Sequence, residues 1–232
     1  MHDPKEQSSP ALWFFDMDHT LIDNDCDVSW KKFLVRHGLA PADAQAAADR
    51  FFADYLAGRL DYDAFLRFQL AEFRSRTPAE MAALARWHFT EMVRPVLYPA
   101  ACRAVAAALA SGAPVALLTA TNEVIAAPLA AELGIPHLLA TRLERRDTLF
   151  TGAMAGEYCG GPGKLAPARE FAATFGLTLE QAAYYGDSIS DVPMLAAVGF
   201  PTVVNPGEKL AAAAAAHGWP VVRWGLETGS PA

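Results

Sequence analysis

Two carboxylates two residues apart, in Asp16-Met17-Asp18-His19-Thr20, stand directly after the short aromatic stretch LWFF. In an open α/β sheet, ligands bind outside the carboxyl ends of the strands, so a pair placed there can converge on one site. Bare carboxylates that close repel and want a cation or a proton between them. Magnesium, a hard oxygen-seeking ion, suits such a pair. The bland alternative is that Asp16 caps the following turn and Asp18 faces solvent. The arrangement recurs in Gly186-Asp187-Ser188-Ile189-Ser190-Asp191, after the apolar run AAYY. Asp191 stands where a helix over 192–197 begins, so helix capping accounts for it. Asp187, set immediately after strand and glycine, reads as a metal ligand.

Two further signals point at phosphate. Thr119 ends the apolar run PVALLT and is followed by Ala120, Thr121 and Asn122 before a helical pattern. A hydroxyl with backbone N–H groups at a helix N-terminus makes a phosphate cradle, although Thr121 or Asn122 also serves as a plain cap. Lys164 follows glycines in Gly160-Gly161-Pro162-Gly163-Lys164. A phosphate-binding Walker loop would need glycine at Tyr158 and Ser or Thr at Leu165, so that reading fails. A lysine opening a helix still offers a point charge to a phosphate, and taken singly it is as readily a solvated surface lysine. Asp23, Asp25 and Asp27 alternate like a calcium loop, but Val28 and Leu34 stand where such a loop needs Gly and Glu.

The elements that must carry these residues follow from pattern. LWFF suits a strand buried on both faces. From residue 27 to 94, amphipathic stretches succeed one another as about four helices, with Gly38 and Gly58 at helix ends and Pro41 and Pro78 in first turns. After Pro95, helices alternate with the strand-like runs PVALLT, HLLATRLE (opening a hairpin), AAYY, PTVVN and PVVRW. Alternation of this kind argues for a parallel α/β sheet. The expected architecture is a three-layer Rossmann-like α/β core (12–26 and 95–232) interrupted by a helical insertion (27–94), with a loose tail over 1–11. The aromatic residues of the insertion, such as Trp30, Phe33, Phe51 and Phe52, read as packing between helices.

With 232 residues, 53% hydrophobic and 19% charged, the composition is that of a globular protein. A formal net charge of −7 argues against a general nucleic-acid or acidic-membrane binder. No stretch suits a transmembrane helix or a signal peptide. The cysteines, Cys26, Cys102 and Cys159, show no metal or disulfide spacing, which favours a reducing, cytoplasmic setting.

Taken in order, strand–DxDxT, strand–Thr, loop–Lys and strand–GDxxxD make the chain resemble the haloacid dehalogenase superfamily, in particular its phosphoserine-phosphatase-like branch. The likeness runs from Trp13 to about Trp224. It is closer to bacterial members described as histidinol-phosphatase-like, through FDMDHTLIDNDCDVSW and TATNEVIAAPLA. The resemblance implies an inserted helical cap of the C1 type and a Mg²⁺-dependent phosphomonoesterase acting on a small phosphorylated metabolite. It implies Asp16 as the nucleophile that becomes an aspartyl phosphate, and Asp18 as general acid. Thr119 and Lys164 would hold phosphoryl oxygens, with Ala120 and Asn122 beside them. Asp16, the Asp18 carbonyl and Asp187 would bind the metal, with Asp191 behind them orienting Lys164 or a metal water. His19 receives no role.

In phosphoserine phosphatases an acidic residue nine positions after the nucleophile holds the substrate ammonium, and Asp25 occupies that position. Their carboxylate-gripping cap arginine lies two residues after another arginine, and here Arg67 matches the first and Gln69 the second. The glycine pair after the motif-two hydroxyl is replaced by Ala120 and Thr121. These departures favour an amine-bearing substrate without a carboxylate, such as histidinol phosphate, over phosphoserine. A receiver-like signalling domain also uses an aspartyl phosphate, but it is about half this length and carries no inserted helices. Multiple turnover of an aryl phosphate separates the two. Dehalogenases of the same fold usually lack the second aspartate of the pair, which Asp18 supplies.

Overall fold

A computed structural model describes residues 9–226. Of the expected tail, residues 1–8 lie outside this range, while the Ala11 N–H already donates to the Gln181 carbonyl at 2.9 Å. The core is a six-stranded parallel sheet in the order β3-β2-β1-β6-β7-β8. Its strands are β1 (Leu12–Phe15), β2 (Val115–Asn122), β3 (His137–Thr141), β6 (Ala182–Gly186), β7 (Phe200–Val204) and β8 (Val221–Val222). The run HLLATRLE does not continue as one strand. It breaks at Arg142 into β3 and β4 (Leu143–Arg146), and β4 pairs antiparallel with β5 (Leu149–Met154) as a separate hairpin.

Alternation along the strands builds the layers, because successive side chains point to opposite faces. Phe15, Val115 and Leu117 join one buried cluster with residues of α5 (Pro99–Ala110) and α6 (Glu123–Glu132). Leu12, Phe14, Ala116 and Leu118 join the other, with α7 (Leu165–Thr174), α8 (Val192–Ala197) and α9 (Glu208–His217).

Between β1 and α5 the chain forms α1 (Cys26–Arg36), α2 (Ala44–Leu56), α3 (Tyr62–Gln69) and α4 (Pro78–His88). Pro78 does open α4, within a Thr77–Glu80 capping box, but Pro41 lies ahead of α2 rather than in its first turn. α1 and α3 are capped by Asp25 and Asp61, whose side chains accept from Val28 N–H and Ala64 N–H. Trp30, Phe33, Phe73, Met81 and Phe89 from this segment are buried in the same cluster as Phe15 and Leu117. The two ends of the segment are laced together: Asp23 N–H donates to Val96 O (2.8 Å) and Tyr98 N–H to Leu21 O (3.0 Å). Tyr98 Oη also donates to the Asp23 carboxylate at 3.1 Å.

Candidate active site

The register of the sheet brings the separate motifs to one edge. β1 lies between β2 and β6, and the Asp16 N–H donates to Tyr185 O at 2.9 Å, fixing Asp16 at the strand end beside the loop that carries Asp187. Lys164, the last residue of a 3₁₀ turn over Gly161–Lys164, reaches back under this edge. The glycine at 163 is required there, since a Cβ would sit 2.1 Å from the Tyr158 carbonyl oxygen. Lys164 Nζ donates to Asp16 Oδ1 (2.7 Å), Asp191 Oδ1 (2.8 Å) and Tyr184 Oη (3.0 Å). Tyr184 Oη in turn donates to Asp191 Oδ1 at 2.5 Å. Thr20 Oγ1 lies 3.2 Å from both Asp16 Oδ2 and Asp187 Oδ1, linking the two carboxylates.

The bland reading of Asp191 as cap of the following helix does not describe it. Its side chain makes no capping bond to α8. Its Oδ2 accepts instead from Ser188 N–H at 3.1 Å, within the turn before the helix. Gly186 accommodates this carboxylate, because a Cβ there would meet Asp191 Cγ at 2.9 Å.

β2 delivers the hydroxyl motif through an irregularity. Thr119 pairs with Ala140 and Asn122 with Thr141, so Ala120 and Thr121 are extra residues that the ladder does not match. Ala120 and Thr121 line the cavity described below, and Thr119 is buried at its floor. Thr121 Oγ1 donates to Asp18 Oδ2 at 2.6 Å, and Cys26 N–H donates to Asp18 Oδ1 at 2.8 Å. Burial, and next the charge of Asp25, push the Asp18 carboxyl up to about 7, against the opposing Thr121 bond.

Charge is unevenly matched here. The carboxylate oxygens of Asp16, Asp187 and Asp191 lie within 4.8 Å of one another and could hold a metal ion. Burial opposes the charge of Lys164, but Asp16 and Asp191 outweigh it and hold the lysine protonated. One ammonium cannot neutralise three carboxylates. Burial, then Asp16 and Asp191, accordingly drive the Asp187 carboxyl well above its ordinary range.

These groups form one end of a cavity of about 720 Å³, a size suited to a small ligand. α2 and α3 add Phe51, Phe52, Tyr55 and Phe65 to its wall, joined by Asp25, Asp27 and Gln69. Asp25 caps α1, and burial raises its carboxyl. Gln69 Nε2 donates to Asp27 Oδ1 at 2.8 Å, while Gln69 Oε1 is buried without a partner. Burial and the charges of Asp25 and Asp18 push Asp27 well above the carboxylate range. Lys31, a buried cation whose charge partly offsets this, bonds to Glu72 and to Phe68 O (2.8 Å). Among the described residues no arginine lines the cavity.

Two residues of the expected set fall outside it. Arg67 is exposed on α3 and absent from the cavity wall. Two residues along a helix are about 200° apart, so with Gln69 facing inward Arg67 faces out. Asn122 caps α6, its Oδ1 accepting from Val124 N–H (3.1 Å) and Ile125 N–H (3.2 Å), and it borders only a small side void with Gln69 and Asp27. Conversely, sequence reasoning gave no role to Thr20, Tyr184 or Tyr55. Thr20 could have been found from the motif itself; the tyrosines carry no local signal.

A sequence profile of haloacid dehalogenase-like hydrolases matches residues 13–196. A histidinol-phosphatase from Neisseria meningitidis is 34% identical over 221 residues, covering 92% of this chain and 98% of that protein. A phosphoserine phosphatase from Mycobacterium tuberculosis is 32% identical over 222 residues, covering 91% and 70%. Among solved structures, a Bordetella pertussis protein described as of unknown function superposes with a TM-score of 0.85 at 36% identity, covering 92% of this chain and 98% of that one. Among the described residues no helix is long and apolar enough to cross a membrane.

Proposed function

The chain belongs to the haloacid dehalogenase-like hydrolases, and from that premise we propose that it is a Mg²⁺-dependent phosphatase for a small amine-bearing phosphate monoester lacking a carboxylate, with histidinol phosphate the first candidate. The observation that carries this reading is the pairing of Asp16 with Lys164 on the sheet side of the cavity, and the acidic Asp25 and Asp27 with Gln69, contributed by the helical segment. In this reading residues 12–26 and 95–232 form the catalytic core and 27–94 the cap.

Asp16 attacks phosphorus and becomes an aspartyl phosphate, which divides one difficult displacement into two easier ones. Lys164 is held by Asp191 and Tyr184, so its ammonium stays aimed at the reacting group when the Asp16 oxygen turns to phosphorus. The Thr119 hydroxyl, which accepts from Thr121 N–H at 3.2 Å, would donate to a phosphoryl oxygen, with Ala120 beside it. Asp18, with a carboxyl near neutrality, gives its proton to the departing alkoxide oxygen and then takes one from the water that cleaves the acyl phosphate. The hard, over-charged oxygen set fits Mg²⁺: Asp16, the Asp18 carbonyl and Asp187 would hold it, with Asp191 committed to Lys164. When bound, the ion supplies positive charge against the phosphoryl oxygens.

At the far end, Asp25 and Asp27 attract an ammonium and repel a carboxylate. Gln69 stands where an arginine would have gripped one. The test is steady-state turnover of histidinol phosphate, phosphoserine and an aryl phosphate, with Mg²⁺ and with EDTA. Histidinol phosphate is expected to give the highest kcat/KM and EDTA to abolish it. A preference for phosphoserine would overturn the substrate, and no Mg²⁺-dependent turnover of any ester would overturn the reading itself.

A further inference from the structure

One contact crosses from the helical segment to the loop carrying Asp187 and Asp191. Tyr55, near the end of α2, has its hydroxyl 2.8 Å from Ser188 Oγ and 3.0 Å from Ser190 Oγ. The serine hydroxyls are 3.1 Å apart, and Ser190 N–H donates to Ser188 Oγ at 3.2 Å. Ser188 N–H also donates to Asp191 Oδ2, the carboxylate whose other oxygen receives Lys164. A side chain on the cap side of the cavity is thus two hydrogen bonds from the lysine–aspartate pair. Burial raises the Tyr55 phenol, so it stays a neutral donor at neutral pH. The buried residues of α2 are only Ala44 and Ala48, so the Tyr55 hydroxyl adds a polar contact to a small apolar seat.

We propose that Tyr55 is a positioning residue, whose hydroxyl fixes the 187–191 turn beside Asp16 and Lys164 only while α2 is seated over the cavity. Closing the cavity and completing the carboxylate cluster are then one event. The proposal rests on the phosphatase reading above, and it concerns the reaction of any phosphate ester rather than the choice among them. In this it differs from Asp25 and Gln69, which face the leaving group.

The experiment is Tyr55→Phe, which removes one oxygen and keeps the ring. Losing two hydrogen bonds predicts a kcat lowered roughly fivefold to thirtyfold, with KM moving less. The loss should be equal for histidinol phosphate and an aryl phosphate. Ser190→Ala should cost less, because Ser188 still bonds Tyr55, and the double variant should lose less than the product of the two single losses, because the Tyr55–Ser190 contact is shared. Hydrogen exchange of the α2 amides should accelerate in Tyr55→Phe at an unchanged melting temperature. An unchanged kcat, a loss confined to one substrate, losses that multiply in the double variant, or α2 exchange equal to wild type would each overturn the proposal. Should the wild type hydrolyse no phosphate ester, the phosphatase reading fails, and the exchange comparison still decides whether Tyr55 holds α2 down.

Discussion

At the core end of the cavity, Asp16 and Asp191 flank Lys164, and Tyr184 completes a set of bonds in which every donor has a defined acceptor. At the helical end, Asp25 accepts from Val28 N–H and Asp27 from the Gln69 amide, while the charges of Lys32 and Lys31 offset their burial only in part. The first end is built before any ligand arrives, as electrostatic catalysis requires. The second holds carboxyls that burial pushes toward the neutral form, and a cationic ligand would favour their ionised form. Under the proposed function the difference divides the labour: the core end would determine whether a phosphate ester is cleaved, and the helical end which one.

The comparison breaks first at Asp16. Asp16→Asn keeps the shape and leaves Lys164 its bonds to Asp191 and Tyr184, so the fold should survive while kcat falls by about 10³-fold or more for every substrate. Near-native turnover by this variant would refute the division. A smaller, selective effect belongs to the other end. Gln69→Arg sets a guanidinium beside Asp27 and should shift the ratio of kcat/KM for phosphoserine over histidinol phosphate upward by about tenfold, one such factor being worth 1.4 kcal/mol. An unmoved ratio, measured on the same preparation, would remove Gln69 from the leaving-group end.

The third effect leaves chemistry untouched and concerns how the helices hold together. His88 of α4 is fully buried against Trp30, accepts or donates at Ser29 Oγ (2.9 Å), and is lowered by burial to about 4. Unfolded, it titrates near 6.5, so as pH falls the unfolded chain binds the proton first. Stability contributed by neutral His88 is therefore complete above about pH 6.5 and lost toward pH 4, up to about 3 kcal/mol. Urea melts across this window should be steeper in pH for the wild type than for His88→Gln; parallel curves would sink the assignment.

Much of the core end was legible because its signals are local. LWFF is buried on both faces, and the two acidic motifs directly follow apolar runs, so strand and site could be read from neighbouring residues. The irregular turn at Ala120 and Thr121 was visible only as an absence of glycines. The burial of Lys164 was not legible at all, since a lysine after glycines looks the same whether solvated or enclosed. Arg67 and Gln69 were expected together, although their spacing on α3 sets them on different faces. Tyr55 illustrates the limit best: its partners lie more than a hundred positions away, and nothing near it in the chain marks it.

The excursion that carries the helical end leaves the sheet after β1 and returns before α5, and Asp23, Val96, Leu21 and Tyr98 stitch its two ends side by side. The strand pairing of Trp13 with Val115 and with Ala183 takes no part in it. Helices between those stitches can be lengthened, shortened or exchanged over generations without pulling on the strands. A lineage of such enzymes can therefore change its diet while inheriting the same hydrolytic tool.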